Sequence, residues 1–78
     1  MFKVYSTTTC AKCQMVKKFL TIAEKQYEEV NLDEKPELRE HAFNLSQVSS
    51  VPVVTKVIDG VETLISVGWS PAQLKQAL

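Results

Sequence analysis

The sequence predicts a single α/β domain, with elements in the order β-α-β-α-β-β-α and one mixed four-stranded sheet flanked by helices. Three observations carry that prediction. Short runs of β-formers alternate with segments whose apolar residues recur at helical spacing. An Asp59-Gly60 pair, a favoured two-residue hairpin turn, joins the last two strand signals. The chain has 78 residues, enough for one compact domain and no more.

Taken in order, Phe2 to Ser6 reads as a strand, followed by the polar turn Thr7-Thr8-Thr9. From Ala11 to Lys25, Met15, Val16, Phe19, Leu20 and Ala23 recur on one helical face, with Lys12, Lys17, Lys18 and Glu24 on the other. Thr9 or Cys10 stands where an N-cap belongs. Tyr27 to Leu32 suits a second strand. Asp33 then offers an N-cap for a helix over Pro36 to Leu45, where Leu38, Ala42 and Leu45 are spaced i, i+4, i+7. Val51 to Ile58 is the strongest strand signal, and Val61 to Val67 returns alongside it. Gly68-Trp69 breaks the run. Ser70-Pro71 opens a last helix with Leu74, Ala77 and Leu78 on its apolar face. A strand–helix–strand opening implies a parallel pair with a right-handed crossover, and the hairpin adds an antiparallel one.

Composition narrows the function. Nine Lys or Arg balance nine Asp or Glu, which disfavours nucleic acid or an anionic membrane as partner. No stretch approaches the roughly 20 apolar residues of a membrane span. Met1 to Ser6 lacks the apolar core of a signal peptide, so a cytoplasmic location is expected. Two cysteines exclude a multi-bridge secreted scaffold. A bridge across so short a segment is a weak staple, about 2 kcal/mol against about 5 for a loop of about 100 residues.

Cys10 and Cys13 lie at the junction of the first strand and first helix. A cysteine there faces unpaired backbone N–H groups and the positive end of the helix dipole. Both favour the thiolate, and Lys12 pushes the same way. Cys13, one turn further in, is expected to be buried and protonated. Cys10 is therefore the expected nucleophile toward a disulfide, and Cys13 the thiol that attacks Cys10 to release the product. Other uses of the pair stay open. A zinc site wants four ligands, and the only other good candidate is His41, expected at the surface of the second helix. Two chains could share a metal or iron–sulfur centre through four cysteines, or both cysteines could be inert.

Pro52 opens a strong strand, where proline is normally unwelcome. It either marks the strand start or follows a cis Val51-Pro52 bond. Trp69, the only tryptophan, is either a cover over the sheet edge or a partner-facing aromatic beside the dithiol. The second is preferred, because aromatics beside a reactive site serve as binding anchors. Lys17, Lys18, Glu28, Glu29 and Glu34 read as solvated charges.

Together these residues resemble the thioredoxin superfamily, and within it the glutaredoxin-like NrdH-redoxins. The resemblance spans the chain. It rests on Cys10-Ala11-Lys12-Cys13 after a strand, Tyr27 to Asp33, Val51-Pro52-Val53-Val54, and Gly68-Trp69-Ser70-Pro71 before the last helix. It implies a thioredoxin fold with a cis Pro52 close to Cys10, and a Val51 backbone that pairs with an extended peptide or glutathione. It implies a redox-active Cys10–Cys13 disulfide, no further cofactor and no metal, the proline helping to keep metals off the dithiol. Glutaredoxins draw on glutathione, usually with Pro-Tyr between the cysteines, a basic residue before the first, and Gly-Gly followed by acids before the last helix. Here Ala11-Lys12, Thr7-Thr8-Thr9 and Gly68-Trp69-Ser70-Pro71 stand instead, and each departure counts against glutathione. NrdH-redoxins are reduced by thioredoxin reductase and supply ribonucleotide reductase in deoxyribonucleotide synthesis. Their Trp-Ser-Gly-Phe-x-Pro run appears as Ser66 to Pro71, with Ser66 in place of the leading Trp.

The expected function is thus thiol–disulfide exchange by a cytoplasmic monomer. Thioredoxin reductase lies upstream, and ribonucleotide reductase or other disulfide proteins lie downstream. Cys10 and Cys13 are its catalytic residues, and Lys12, Val51, Pro52, Gly68 and Trp69 its partner-binding ones. The alternatives are a glutathione-dependent dithiol glutaredoxin, a metal or iron–sulfur module shared across a dimer, and a redox-sensing adaptor.

Overall fold

The computed structural model describes residues 1–78. Its elements are β1 (Phe2–Ser6), α1 (Ala11–Ile22), β2 (Tyr27–Asn31), a 3-10 turn (Pro36–Leu38), α2 (Arg39–Ser46), β3 (Val53–Ile58), β4 (Val61–Val67) and α3 (Pro71–Ala77). The sheet order is β2-β1-β3-β4. β1 and β2 are parallel, with Phe2 beside Tyr27 and Ser6 beside Asn31. β1 and β3 are antiparallel, as are β3 and β4. The predicted order and mixed sheet are those observed.

Side-chain alternation along β1 divides the core in two. Phe2 and Val4 face α1 and α3, joining Val16, Leu20, Val54 and Leu74 in one buried cluster. Tyr5 points the other way and joins Val30, Leu32, Ala42 and Val53 beneath α2. In α1 the buried residues are Cys13, Val16 and Leu20, a single stripe. Burying each aliphatic member contributes roughly 1.5–3 kcal/mol.

Four boundaries differ from the sequence reading. The first helix ends at Ile22 rather than Lys25 because Glu24 adopts φ 58°. The Glu24 N–H bonds Thr21 O and the Lys25 N–H bonds Leu20 O, closing the helix with a left-handed cap that glycine usually supplies. β2 stops at Asn31, whose side-chain carbonyl accepts the Asp33 N–H at 2.8 Å. The second helix opens as a 3-10 turn at Pro36, and Asp33 does not cap it. β3 begins at Val53 rather than Val51, since Pro52 has no N–H to give to the ladder. The hairpin turn needs positive φ at both central residues, and Asp59 (52°) and Gly60 (80°) supply it. Val54 pairs with Ser66 and Thr55 with Leu64, so Ile65 is an extra residue bulged out of β4.

Candidate active site

Backbone geometry at the end of β1 sets the dithiol. Cys10 is the N-cap of α1, extended at φ −149° and ψ 103°, and its Sγ accepts the Cys13 N–H at 3.1 Å. That bond satisfies one of the orphan donors of the helix start, and it is the bond that would favour negative charge on Cys10 sulfur in the reduced state. The two residues are joined as a disulfide, with Cα atoms 5.3 Å apart. Cys13 is buried, at 1% exposure, whereas Cys10 is half-buried and Lys12 exposed. The structure therefore separates the sulfurs in depth in the sense expected.

The turn before Cys10 is tied down from the loop that follows β2. The Thr8 N–H bonds Asp33 Oδ2 at 2.9 Å, and Arg39 holds the other carboxylate oxygen at 2.7 Å. The Thr8 N–H, with the Thr8 side chain and Arg39 behind it, keeps the Asp33 carboxyl below the usual carboxylate range. Asp33 thus serves the cysteine turn instead of the helix for which the sequence suggested it.

Antiparallel pairing places Tyr5 beside Val53, the last pair of the two strands, so Pro52 and Val51 come just before β3 at the end of the sheet where β1 leads into the cysteine turn. The Val51–Pro52 peptide is cis, as the resemblance implies, and Pro52 is buried. Thr7 and Val51 share a cleft of about 360 Å³ with Arg39, Phe43, Val48 and Val53. The Gly68 N–H bonds Pro52 O at 2.8 Å, so the segment before α3 is fastened to the same loop. At Gly68 φ is +75°, a conformation glycine adopts without strain. Trp69 is half-buried against the α1–α3 cluster, its ring edge-on to Phe19 with centroids 6.0 Å apart. It is part cover and part surface, between the two readings of the sequence.

Two polar arrays escaped the sequence reading. Glu29 is no free solvated charge: its Oε2 accepts from Ser6 Oγ at 2.9 Å and from Lys17 Nζ at 2.7 Å. The Lys17 bond, aided by Ser6 and opposed by partial desolvation, holds the Glu29 carboxyl below its usual range. Glu29 alternates with Tyr27 onto the α1 face, and Lys17 follows Cys13 by one turn, a signal legible in hindsight. On the opposite face Glu62 receives Tyr5 OH and Thr55 Oγ1, each at 2.6 Å, and meets His41 Nε2 at 2.9 Å. Burial, with Glu62 beside it, pushes the Tyr5 hydroxyl well above its ordinary value. His41 is exposed as expected, yet engaged. No three His, Cys, Asp or Glu side chains are grouped so as to hold a metal ion. No helix is long and apolar enough to cross a membrane.

The glutaredoxin family model matches residues 2–62. A glutaredoxin-like protein NrdH of Lactococcus lactis is 41% identical over 56 residues, 72% of this chain and 76% of the relative. Among solved structures, the thioredoxin-like protein BC3987 superposes with a TM-score of 0.80 at 29% identity, covering 100% of both chains. The glutaredoxin of Archaeoglobus fulgidus gives 0.77 at 25% identity over 96% of this chain and 82% of its own. The architecture is the thioredoxin fold.

Proposed function

The chain belongs to the glutaredoxin family, whose members are thiol–disulfide oxidoreductases, and on that premise we propose that it is an NrdH-type electron donor. In this reading a flavoprotein of the thioredoxin reductase kind reduces it in the cytoplasm, and ribonucleotide reductase is its principal acceptor. The observation that carries the reading is the segment fastened to the Pro52 loop. Gly68-Trp69-Ser70-Pro71 leads into α3 with no acidic residue in the first helical turn. A glutathione amino group would find no carboxylate partner there. NrdH itself is among the relatives.

The chemistry runs through the two sulfurs. The Cys10 thiolate attacks one sulfur of the target disulfide; that S–S bond breaks, and the other target sulfur leaves as a thiolate and takes up a proton. Cys13 then loses its proton and attacks Cys10 Sγ. The mixed disulfide breaks, the second target thiol is released, and two electrons have passed to the target. The protein is left oxidised, the state seen here. Val51, which lines the cleft, is the proposed pairing edge for the extended target, and Lys12, exposed between the cysteines, and the half-buried Trp69 are proposed as further partner contacts.

NADPH with thioredoxin reductase should reduce the Cys10–Cys13 disulfide rapidly, and glutathione with glutathione reductase only poorly. Robust glutathione turnover with no response to thioredoxin reductase would instead make the protein a dithiol glutaredoxin. Cys13→Ser should trap a mixed disulfide through Cys10, whereas Cys10→Ser should trap none.

A further inference from the structure

The balanced charge of the whole chain conceals a division between its two sides. Helices α1 and α3, which cover one face of the sheet, hold Lys12, Lys17, Lys18 and Lys75 and no acidic residue. On the opposite face Glu34 precedes the 3-10 turn and α2, which hold Glu37 and Glu40. Lys17 is bound to Glu29 at 2.7 Å. Lys12 and Lys18 are exposed, and neither belongs to an ion pair.

The outer surface of α1 sets these two lysines among apolar side chains. Its buried stripe is Cys13, Val16 and Leu20. The stripe on the opposite side of the helix is Ala11, Met15, Lys18 and Ile22, spaced i, i+4, i+7 and i+11. All four are exposed, Met15 by 46% and Ile22 by 72%. Lys12 stands three residues before Met15 and Phe19 four after it, so both adjoin the stripe. Phe19 joins it to Trp69, whose ring stands edge-on with centroids 6.0 Å apart. The stripe begins at Ala11, directly after the half-buried Cys10. Lys18 lies about 12 Å along the helix from Cys10 and Ile22 about 18 Å, distances an extended chain covers in about four and about six residues. Exposed lysines alone make a solvated face, and single exposed apolar residues are ordinary. Here both kinds share one stripe that starts at the reactive sulfur, and no acid on either helix of that side neutralises it.

We infer that the outer face of α1, with Lys12, Met15, Lys18 and Ile22 and with Trp69 at its edge, is a docking surface for an acidic segment bearing apolar side chains beside the disulfide of a protein partner. Carboxylates of that segment face the two unpaired lysines, and its apolar side chains cover Met15 and Ile22. The inference rests on the electron-donor reading and deepens it. Val51 pairs with any extended backbone, whereas this surface selects which disulfide proteins reach Cys10 readily. A protein segment suits the face better than a nucleic acid or an anionic bilayer. Two unpaired lysines are few for a polyanion, Met15 and Ile22 offer nothing to phosphate, and the sulfur at the head of the stripe acts on a disulfide.

The test uses chemically reduced protein and synthetic peptides, each with one intramolecular disulfide and a tail of about six residues matched to the reach of the stripe. The tails carry leucines among aspartates and glutamates, among lysines, or among serines. Exchange is stopped with acid and resolved by chromatography, and each rate is divided by that with bis(2-hydroxyethyl) disulfide, a small neutral probe that normalises for changes at the sulfurs. The acidic peptide should react about three- to tenfold faster than the basic one at low ionic strength, with the gap closing in about 0.5 M salt. Lys18→Glu should abolish or invert that preference, and Ile22→Ser should slow the acidic peptide while leaving the sign of the preference intact. Equal normalised rates for acidic and basic peptides, or a preference that survives Lys18→Glu, overturn the surface. Should Lys18→Glu fail to fold, Lys18→Gln must narrow the preference, and an unchanged one overturns the surface equally. Binding to phosphatidylserine vesicles that Lys18→Glu destroys, without any peptide preference, would assign the face to a membrane and overturn the inference. Because the protein is reduced chemically, failure of thioredoxin reductase to reduce it counts against the electron-donor reading alone and is scored separately from the peptide preference.

Discussion

The two faces of the sheet are held by different physics. Beneath α1 and α3 the buried side chains are almost wholly apolar, and charge appears at the edges, where Lys17 and Glu29 are 18% and 38% exposed and Lys56 lies over the Phe2 ring and donates to Ala77 O. Beneath α2 the apolar cluster is smaller, and a carboxylate only 14% exposed joins strand to strand and sheet to helix. Glu62 reaches β1 through Tyr5, β3 through Thr55 and α2 through His41. The face that carries the dithiol thus rests on non-directional burial, which leaves the sulfur chemistry few competing donors. The face that lines the cleft rests on directed bonds, which fix where α2 sits.

Leu20→Ala should break the first face most severely, at about 2–5 kcal/mol for an aliphatic side chain lost from a packed core. Urea unfolding measures it; a cost below about 1 kcal/mol would mean that α1 docks by other means. Glu62→Ala should come next, at about 2–3 kcal/mol, because the buried Tyr5 and Thr55 hydroxyls lose their acceptor together. Tyr5→Phe, which removes one donor and leaves the carboxylate two partners, should cost about 1 kcal/mol, and less still in the Glu62→Ala background.

Acid separates the faces in another way. Burial raises the Glu62 carboxyl, but bonds from Thr55, Tyr5 and His41, with the field of Lys3, more than reverse this and leave it below its usual value. A carboxyl depressed in the fold stabilises above its unfolded value, and that stability is lost as pH falls through the folded value. Stability should therefore decline below about pH 4.5. Glu62→Gln should shallow the decline without abolishing it, since Glu29 and Asp33 are depressed as well. Leu20→Ala should lower the whole curve and leave its acid slope alone. Equal slopes for Glu62→Gln and the parent would remove Glu62 from the acid response.

The smallest effect expected is a gain. Ser66 is 3% exposed beside the β4 bulge, and its Oγ has no hydrogen-bond partner. Ser66→Ala should stabilise by about 0.5–1 kcal/mol, since it removes a buried polar group with nothing to lose. A loss of similar size would place an unrecognised partner at this hydroxyl.

Much of this was readable from residue order. The alternation of strand and helix signals, Asp59-Gly60 and the placement of Cys10 and Cys13 at a strand–helix junction are local patterns, and local patterns survive folding when the core agrees with them. The ends of elements were less legible. Glu24 and Gln47 both take left-handed φ at helix ends, at 58° and 63°, where sequence reasoning looks for glycine or asparagine. Asp33 had the chemistry of an N-cap and found a better donor in Thr8. Trp69 was half-legible, since an aromatic beside a reactive site can both pack and protrude.

By itself the sequence determined the dithiol, its place at the start of a helix, the order of the elements and the proline that begins the second half of the sheet. Each depends on neighbours within a few positions, which the chain states outright. Only the tertiary structure decided which charges act together. Ser6, Lys17 and Glu29 come from three elements, and Tyr5, His41, Thr55 and Glu62 from four. Such groupings follow from strand register and the face each side chain takes, and a one-residue slip would scatter them.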